Sequence, residues 1–421
     1  MMTQDAIARL IDVANKLLFF FYFRQSPKNQ PFYRNLAFIL NIYGLANRAW
    51  WGYEPPNKII SLHRKFIIFI APICIVSELT YIALYYRKVS SRTLRTFFIM
   101  FPVNCITNIC IRSAQKKSFK KIMKLFMDKI HLINYCDDDE FLKKKVKKAE
   151  YYTRFSGYFL CLCMLTGWVL WFGTQIKHLY ENIEKIKNQT VMLETVMHLW
   201  MPFDYFYNIR NWVVVHAINA YLGLIGCFGI FAYNTLNYIF IFHLIGHVQI
   251  LKHKCRTEFS NNLDDRDMSK KLKELIKHHT FIIGVFRCTQ NAFGVNVTAN
   301  YCHNLLSDSL LMYEIIIVDK KNSVLYVIPL IVFLGGLILT SLVMEEIRRE
   351  SDDLADAIYA LPWENMSISN QKTVMMILAR VQPPLEFISA GGLRAGVRPA
   401  ISIVQSTFSY YVMLKSTISI E

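Results

Sequence analysis

His243 and His247 stand one helical turn apart, a spacing that lets two imidazoles share a metal ion. No carboxylate lies near them in sequence, and the segment around them is apolar, so packing inside a helix is the better reading and no metal is assigned. The ten cysteines are scattered. Cys74, Cys105, Cys161, Cys163 and Cys227 fall inside apolar runs, where a thiol behaves as a small hydrophobe, and no disulfide framework is indicated. Gly-x-Gly-x-x-Gly, Walker A, His-Glu-x-x-His, Cys-x-x-Cys and Gly-x-Ser-x-Gly do not occur. The chain therefore reads as neither an enzyme nor a cofactor carrier. Asn188-Gln189-Thr190 is an acceptor sequence for N-glycosylation; the matches at Asn296 and Asn365 fall within an expected span and on the expected cytosolic side.

What must position any binding site is a membrane bundle. Hydrophobic residues make up 53% of the 421 and charged ones only 19%, with a mean hydropathy of +0.25. The net charge of +17 would suit nucleic acid or anionic lipid, but the basic residues cluster between uncharged stretches about as long as a membrane crossing. That is a loop-and-span pattern, and nucleic-acid binding is set aside. The apolar run Leu17–Phe23 is too short for a signal peptide and follows Asp5, Arg9, Asp12 and Lys16, so the amino terminus is expected to stay cytosolic.

Residues 1–63 read as a cytosolic and interfacial segment. Phe66–Tyr86 is the first span, with Glu78 its single charge. Phe97–Ile111, lengthened by Thr93–Thr96, is the second, and Arg112–Arg154 is a basic loop carrying its own amphipathic helix. Phe155–Ile176 is the third. Trp212–Leu251 is 40 residues without Lys, Arg, Asp or Glu, about 60 Å as a helix. It lacks a Gly-Pro or Asn-Pro break, which predicts one helix overshooting into the cytosol. Lys270–Val318 is an amphipathic fifth span, Val324–Met344 the sixth, and Val397–Leu414 the seventh. The domains expected are thus 1–63, the helices of 64–344, a cytosolic block at 345–392, and a last helix with an extracellular tail at 393–421.

Most Lys and Arg fall on one side of this arrangement: before span one, in Arg112–Arg154 and in Lys252–Arg287. The positive-inside rule then puts the amino terminus in the cytosol and, after seven spans, the carboxyl terminus outside. A G-protein-coupled receptor has the opposite orientation. A secondary transporter would need matching helix breaks or intramembrane charges in two halves, and spans one to three do not mirror four to six.

Near the carboxyl terminus, Gln405-Ser406-Thr407-Phe408-Ser409-Tyr410-Tyr411-Val412-Met413-Leu414 resembles the closing signature of insect odorant receptors. Ala357-Ile358-Tyr359, Trp363, Leu378, Arg380, Pro383 and Ala390-Gly391-Gly392 resemble that family's cytosolic anchor. Gustatory receptors share the architecture but end on a Thr-Tyr motif that Ser409-Tyr410 fits less well. The resemblance implies an all-α membrane protein of seven helices, one subunit of a tetrameric, ligand-gated, non-selective cation channel of the plasma membrane of olfactory neuron dendrites. It implies an obligate co-receptor in a heterotetramer, a small volatile apolar ligand, surrounding lipid, and no G protein. The short interval from Lys252 to His278 lacks the insertion that marks the co-receptor, so this chain reads as an odorant-tuning subunit.

The outer half of the bundle then supplies the candidate ligand residues: Phe98, Phe101, Thr166, Trp168, Trp171, Tyr207, Trp212, His216, Leu325 and Tyr326. Gln405, Ser406 and Ser409 are candidates for the polar lining of a pore, and Val412 and Met413 for its apolar constriction. Tyr359, Trp363, Leu378 and Pro384 are the expected anchor between subunits. Arg394 and Arg398 depart from the small or apolar residues expected before the last helix.

Overall fold

The structure is a computed structural model and describes residues 26–135, 139–259, 263–318 and 320–418. The run Leu17–Phe23 lies outside them. Among the described residues ten principal helices follow in order: α1 (Pro31–Ile42), α2 (Lys58–Tyr85), α3 (Ser91–Ala114), α4 (Lys117–Leu125), α5 (Glu140–Glu181), α6 (Ile209–Thr257), α7 (Asp265–Ile317), α8 (Lys320–Tyr359), α9 (Ile368–Val381) and α10 (Val397–Ile418). Short polar side chains start four of them. Asn57, Ser90, Asp139 and Asn208 accept hydrogen bonds from the first-turn amides of α2, α3, α5 and α6, which fixes where each helix begins.

α6 is one unbroken helix of 49 residues, about 74 Å long at the ordinary rise. Almost every side chain of its second half is buried, from Tyr233 through Leu251, because α5, α7 and α8 pack around it. This inner half is the main core, joined by α1, α4 and the π-turn Phe126–Ile130. Tyr33, Trp51, Phe126, Phe240 and Phe293 interlock there in edge-on and tilted ring contacts.

Two helices extend beyond the apolar runs that mark them. α5 starts at Glu140, well before Phe155, because Leu142, Val146 and Ala149 continue a buried stripe while Lys144, Lys147 and Lys148 face solvent. α8 runs through Met344 to Tyr359, so no structural break stands between residues 344 and 345. Ile347, Leu354 and Ile358 keep its core face, and Glu345–Arg348 and Glu346–Arg349 pair along the helix.

By length and composition, five described helices can cross a membrane: α2, α3, α5, α6 and α8. α7 carries Arg287, Asp308 and Glu314 along its length; Asp308 and Glu314 are buried, and Glu314 pairs with Arg95 of α3. The two acids thus turn toward protein, while Arg287 is exposed.

Candidate functional site

The half of the bundle away from the main core holds a cavity of about 150 Å³ between α3, α5, α6, α7 and α8. A dry void of that order accepts a ligand about the size of one aromatic ring. Its wall is apolar and aromatic, with Met100, Val103, Met164, Trp168, Trp171, Phe172 and Phe333 prominent, and Val196 and Met197 of the α5–α6 loop also contributing.

Small residues make the space. A Cβ added at Gly167 or Gly336 would meet no heavy atom within 4 Å, although both residues line the cavity. Gly223 has the opposite role: it lets the Phe172 ring lie against the α6 backbone. Trp168 is fixed by donating its indole N–H to the carbonyl of Ala220 at 2.9 Å. Tyr238 donates to Thr340 at 2.7 Å, and Thr340 donates in turn to the Gly336 carbonyl at 2.8 Å. Asn104 donates at 2.6 Å to the buried carboxyl of Glu78.

The α5–α6 loop packs across the ends of α2 and α6. Leu193 N–H donates to the carbonyl of Phe206 at 2.8 Å, Ser77 Oγ donates to the carbonyl of Trp200 at 3.0 Å, and Trp212 Nε1 donates to that of Glu194 at 2.8 Å. Inside it His198 is fully buried, stacked on Tyr81 at 5.3 Å, with neither ring nitrogen hydrogen-bonded. Burial holds its pKa down at about 4.

Of the residues selected from sequence, Trp168 and Trp171 line the cavity. Leu325 and Tyr326 line a separate polar hollow of about 30 Å³ with Trp171, Thr96 and Gln175, room for roughly one water. Phe98 is half exposed on the outer surface, and Phe101 stacks on Phe97. Thr166 is half-buried and outside the cavity wall. Trp212 stacks on His216 at 4.6 Å, and Tyr207 packs with Trp212 under the loop. The sequence reading passed over the α7 contribution, Asn300, His303 and Asn304. Three polar residues in five positions, within an otherwise apolar turn, were the available signal.

His243 and His247 do not share a site. His247 lies 2.8 Å from the carbonyl of Ile130 and 3.1 Å from His278 Nε2. His243 instead joins His131 and Glu150, whose ligand atoms all lie within 4.8 Å of one another, and Tyr33 donates to Glu150 at 2.8 Å. The donor set suits a metal, but the far sides of the rings do not. The amides of Leu132 and Ile133 donate to Nδ1 of His243 and His131 at 3.3 and 3.2 Å, which puts each ring's proton on Nε2, the atom a metal would need. His131 Nε2 lies 2.8 Å from Glu150 and His243 Nε2 3.4 Å from the Tyr33 hydroxyl, contacts that staple α1, the π-turn, α5 and α6 together. Burial, then the neighbouring Glu150, raises the Tyr33 pKa well above its ordinary value.

On α10, Ala400 and Thr407 are buried against the bundle. Arg398, Ser402, Gln405, Ser409, Val412 and Ser416 are all exposed, and their spacing of alternately four and three residues puts them on one stripe. Val412 is the apolar member of that stripe. Ser406 is half-buried, and Met413 is exposed on an adjoining face. Arg394 is exposed and pairs with Glu386 at 3.4 Å. In the 345–392 block, Tyr359 is exposed, whereas Trp363 and Leu378 pack partly on their own chain's core and Pro384 is half-buried. Asn188 sits on an exposed turn after the short helix Ile183–Lys187.

Comparison with known proteins agrees with this geometry. The sequence profile of the 7tm odorant receptor family matches residues 89–408. Odorant receptor 30a of Drosophila melanogaster is 21% identical over 309 residues, which are 73% of this chain and 78% of that protein. Two structures of olfactory receptor OR5 from Machilis hrabei, one in complex with eugenol, superpose with a TM-score of 0.74 at 14% identity. They cover 91% of this chain and 97% of theirs.

Proposed function

The chain belongs to the 7tm odorant receptor family, and from that premise we propose that it is the odorant-binding subunit of a volatile-ligand-gated, non-selective cation channel, acting with a shared co-receptor in a heterotetramer. The observation that carries the reading is the apolar, aromatic cavity in the outer half of the bundle, of a size for one small volatile molecule. Eugenol, an aromatic molecule, is the ligand in one of the OR5 structures.

In this reading seven helices cross the plasma membrane of an olfactory dendrite, α2, α3, α5, α6, α7, α8 and α10, with a cytosolic amino terminus, an extracellular carboxyl terminus and an Asn188 available for glycosylation. The exposed stripe of α10 faces the pore, with Gln405 and Ser409 wetting it and Val412 closing it by excluding water. Tyr359, exposed beside Trp363, presents the anchor surface to the next subunit. Ligand in the cavity wedges α3, α5, α6 and α8 against α7, and α7 packs directly on α10, so the two sites are linked through one helix. No G protein takes part. Odorant-evoked current recorded with and without co-receptor tests this: current that needs both chains supports it, and a response that needs a G protein contradicts it.

A further inference from the structure

We propose that the cavity selects ligands bearing a hydroxyl group, small aliphatic or aromatic alcohols, through His303 and Asn304 of α7. This rests on the cavity being the ligand site. Several other polar groups on its wall are already engaged: Trp168 by Ala220, Tyr238 and Thr340 by one another and Gly336, Tyr301 by Ser341, Asn234 Oδ1 by Asn296, and the Asn104 amide nitrogen by Glu78. Two buried atoms on cavity-lining residues have no partner, Nε2 of His303 and Oδ1 of Asn304.

Their neighbours fix what each can do. Ser307 is fully buried, and its hydroxyl lies 2.8 Å from His303 Nδ1. A buried hydroxyl proton needs an acceptor, so Nδ1 takes it and the ring's own proton sits on Nε2, leaving Nε2–H as an unspent donor. Asn304 Nδ2 donates to the carbonyl of Asn300 at 2.7 Å, which orients the amide and leaves Oδ1 as an unspent acceptor. Two adjacent residues of the cavity wall thus carry one unspent donor and one unspent acceptor. A hydroxyl oxygen accepts and donates through a single atom and answers both; a ketone or ether answers His303 alone; a hydrocarbon answers neither. Each buried group left unmet weakens binding by about tenfold or more.

The test uses the receptor with its co-receptor in lipid nanodiscs and matched sets of alcohol, methyl ether, methyl ketone and hydrocarbon of equal chain length. Half-saturating concentrations are read from the shift of the unfolding midpoint and from evoked current in cells. The expected order is alcohol first, ketone and ether about tenfold weaker, hydrocarbon weaker again. Asn304→Leu, which keeps the branching at Cγ and removes the acceptor, should bring the alcohol down to the ether, and His303→Phe should bring the ketone down to the hydrocarbon, with hydrocarbon binding kept in both. Hydrocarbon binding as tight as alcohol in the unaltered protein overturns the inference, as does an alcohol preference that survives Asn304→Leu. The first comparison needs no variant, so a misfolded one does not shelter the idea. If binding of every set member is absent, or is untouched by Gly336→Leu, the cavity is not the ligand site and both readings fall; if Gly336→Leu removes binding but no alcohol preference exists, only this inference falls.

Discussion

A Cβ built on Gly223 would lie 2.6 Å from Cζ of Phe172, a contact no packed pair sustains. The glycine of α6 therefore sets the position of an aromatic ring on α5 that forms part of the cavity wall. Gly223→Ala should push that ring into the space a ligand occupies, at an overpacking cost of about 1–3 kcal/mol. The expected outcome is a concentration-response curve displaced about tenfold or more to higher odorant, with surface expression near normal. A curve that overlays the unaltered one would show that Phe172 does not bound the ligand site.

Gly336→Leu makes the complementary change. No atom stands within 4 Å of a Cβ there, so the new side chain fills void and does not collide. Evoked current should vanish while the unfolding temperature holds or rises. Loss of both together would mean that the glycine is needed for helix packing.

Trp168 and Trp171, which line this wall, were legible in sequence as aromatics of the uncharged span Phe155–Ile176, where an interface or a pocket would use them. The α7 wall was not, since Asn300, His303 and Asn304 stand on a helix with Arg287, Asp308 and Glu314, and charge suggests water more readily than a membrane cavity. The mutual stacking of Trp212 and His216 beneath a folded loop was not legible, because it depends on contacts from residues 191–208 that carry no periodic pattern. Helix ends were hidden by charge. The lysines of 143–148 and the acids after Met344 line the wet faces of helices that continue, and only the spacing of Leu142, Val146 and Ala149, or of Ile347, Leu354 and Ile358, betrays it.

His198 gives the outer loop a defined response to acid. Its folded pKa lies near 4, below the ordinary value of 6.5, so the unfolded loop binds the proton more readily. Loop stability is whole above pH 6.5 and declines as pH falls from there toward 4. Protection factors of the amides of residues 193–206, taken relative to intrinsic exchange at each pH, should fall across that window. His198→Phe keeps the stack on Tyr81 and should remove the dependence; unchanged acid sensitivity in that variant would assign it to another group.

The stripe on α10 makes a periodic prediction. Cysteines at Ser402, Gln405, Ser409 and Val412 should be blocked by a water-soluble thiol reagent, and cysteines at Ala400 and Thr407, buried against the bundle, should not. Val412→Ser should raise current without odorant, because a polar ring eases wetting of a closed constriction. Block without periodicity, or none at all, would take α10 out of the pore.

Arg398 shares that stripe at its other end from Val412. A positive charge beside a cation path opposes divalent ions more than monovalent ones. Arg398→Gln should shift the reversal potential toward greater calcium permeability; no shift would place the guanidinium away from the ion path.

The central claim, that a ligand in the α3–α8 cavity opens a channel built with a co-receptor, is tested most directly by whole-cell current in cells expressing this chain, the co-receptor, or both, against a panel of small volatile alcohols. The account predicts current within milliseconds in the pair alone, undiminished when G-protein signalling is blocked and abolished by Gly336→Leu in this chain. A response equal in co-receptor-only cells, or one that survives filling of the cavity, would contradict it.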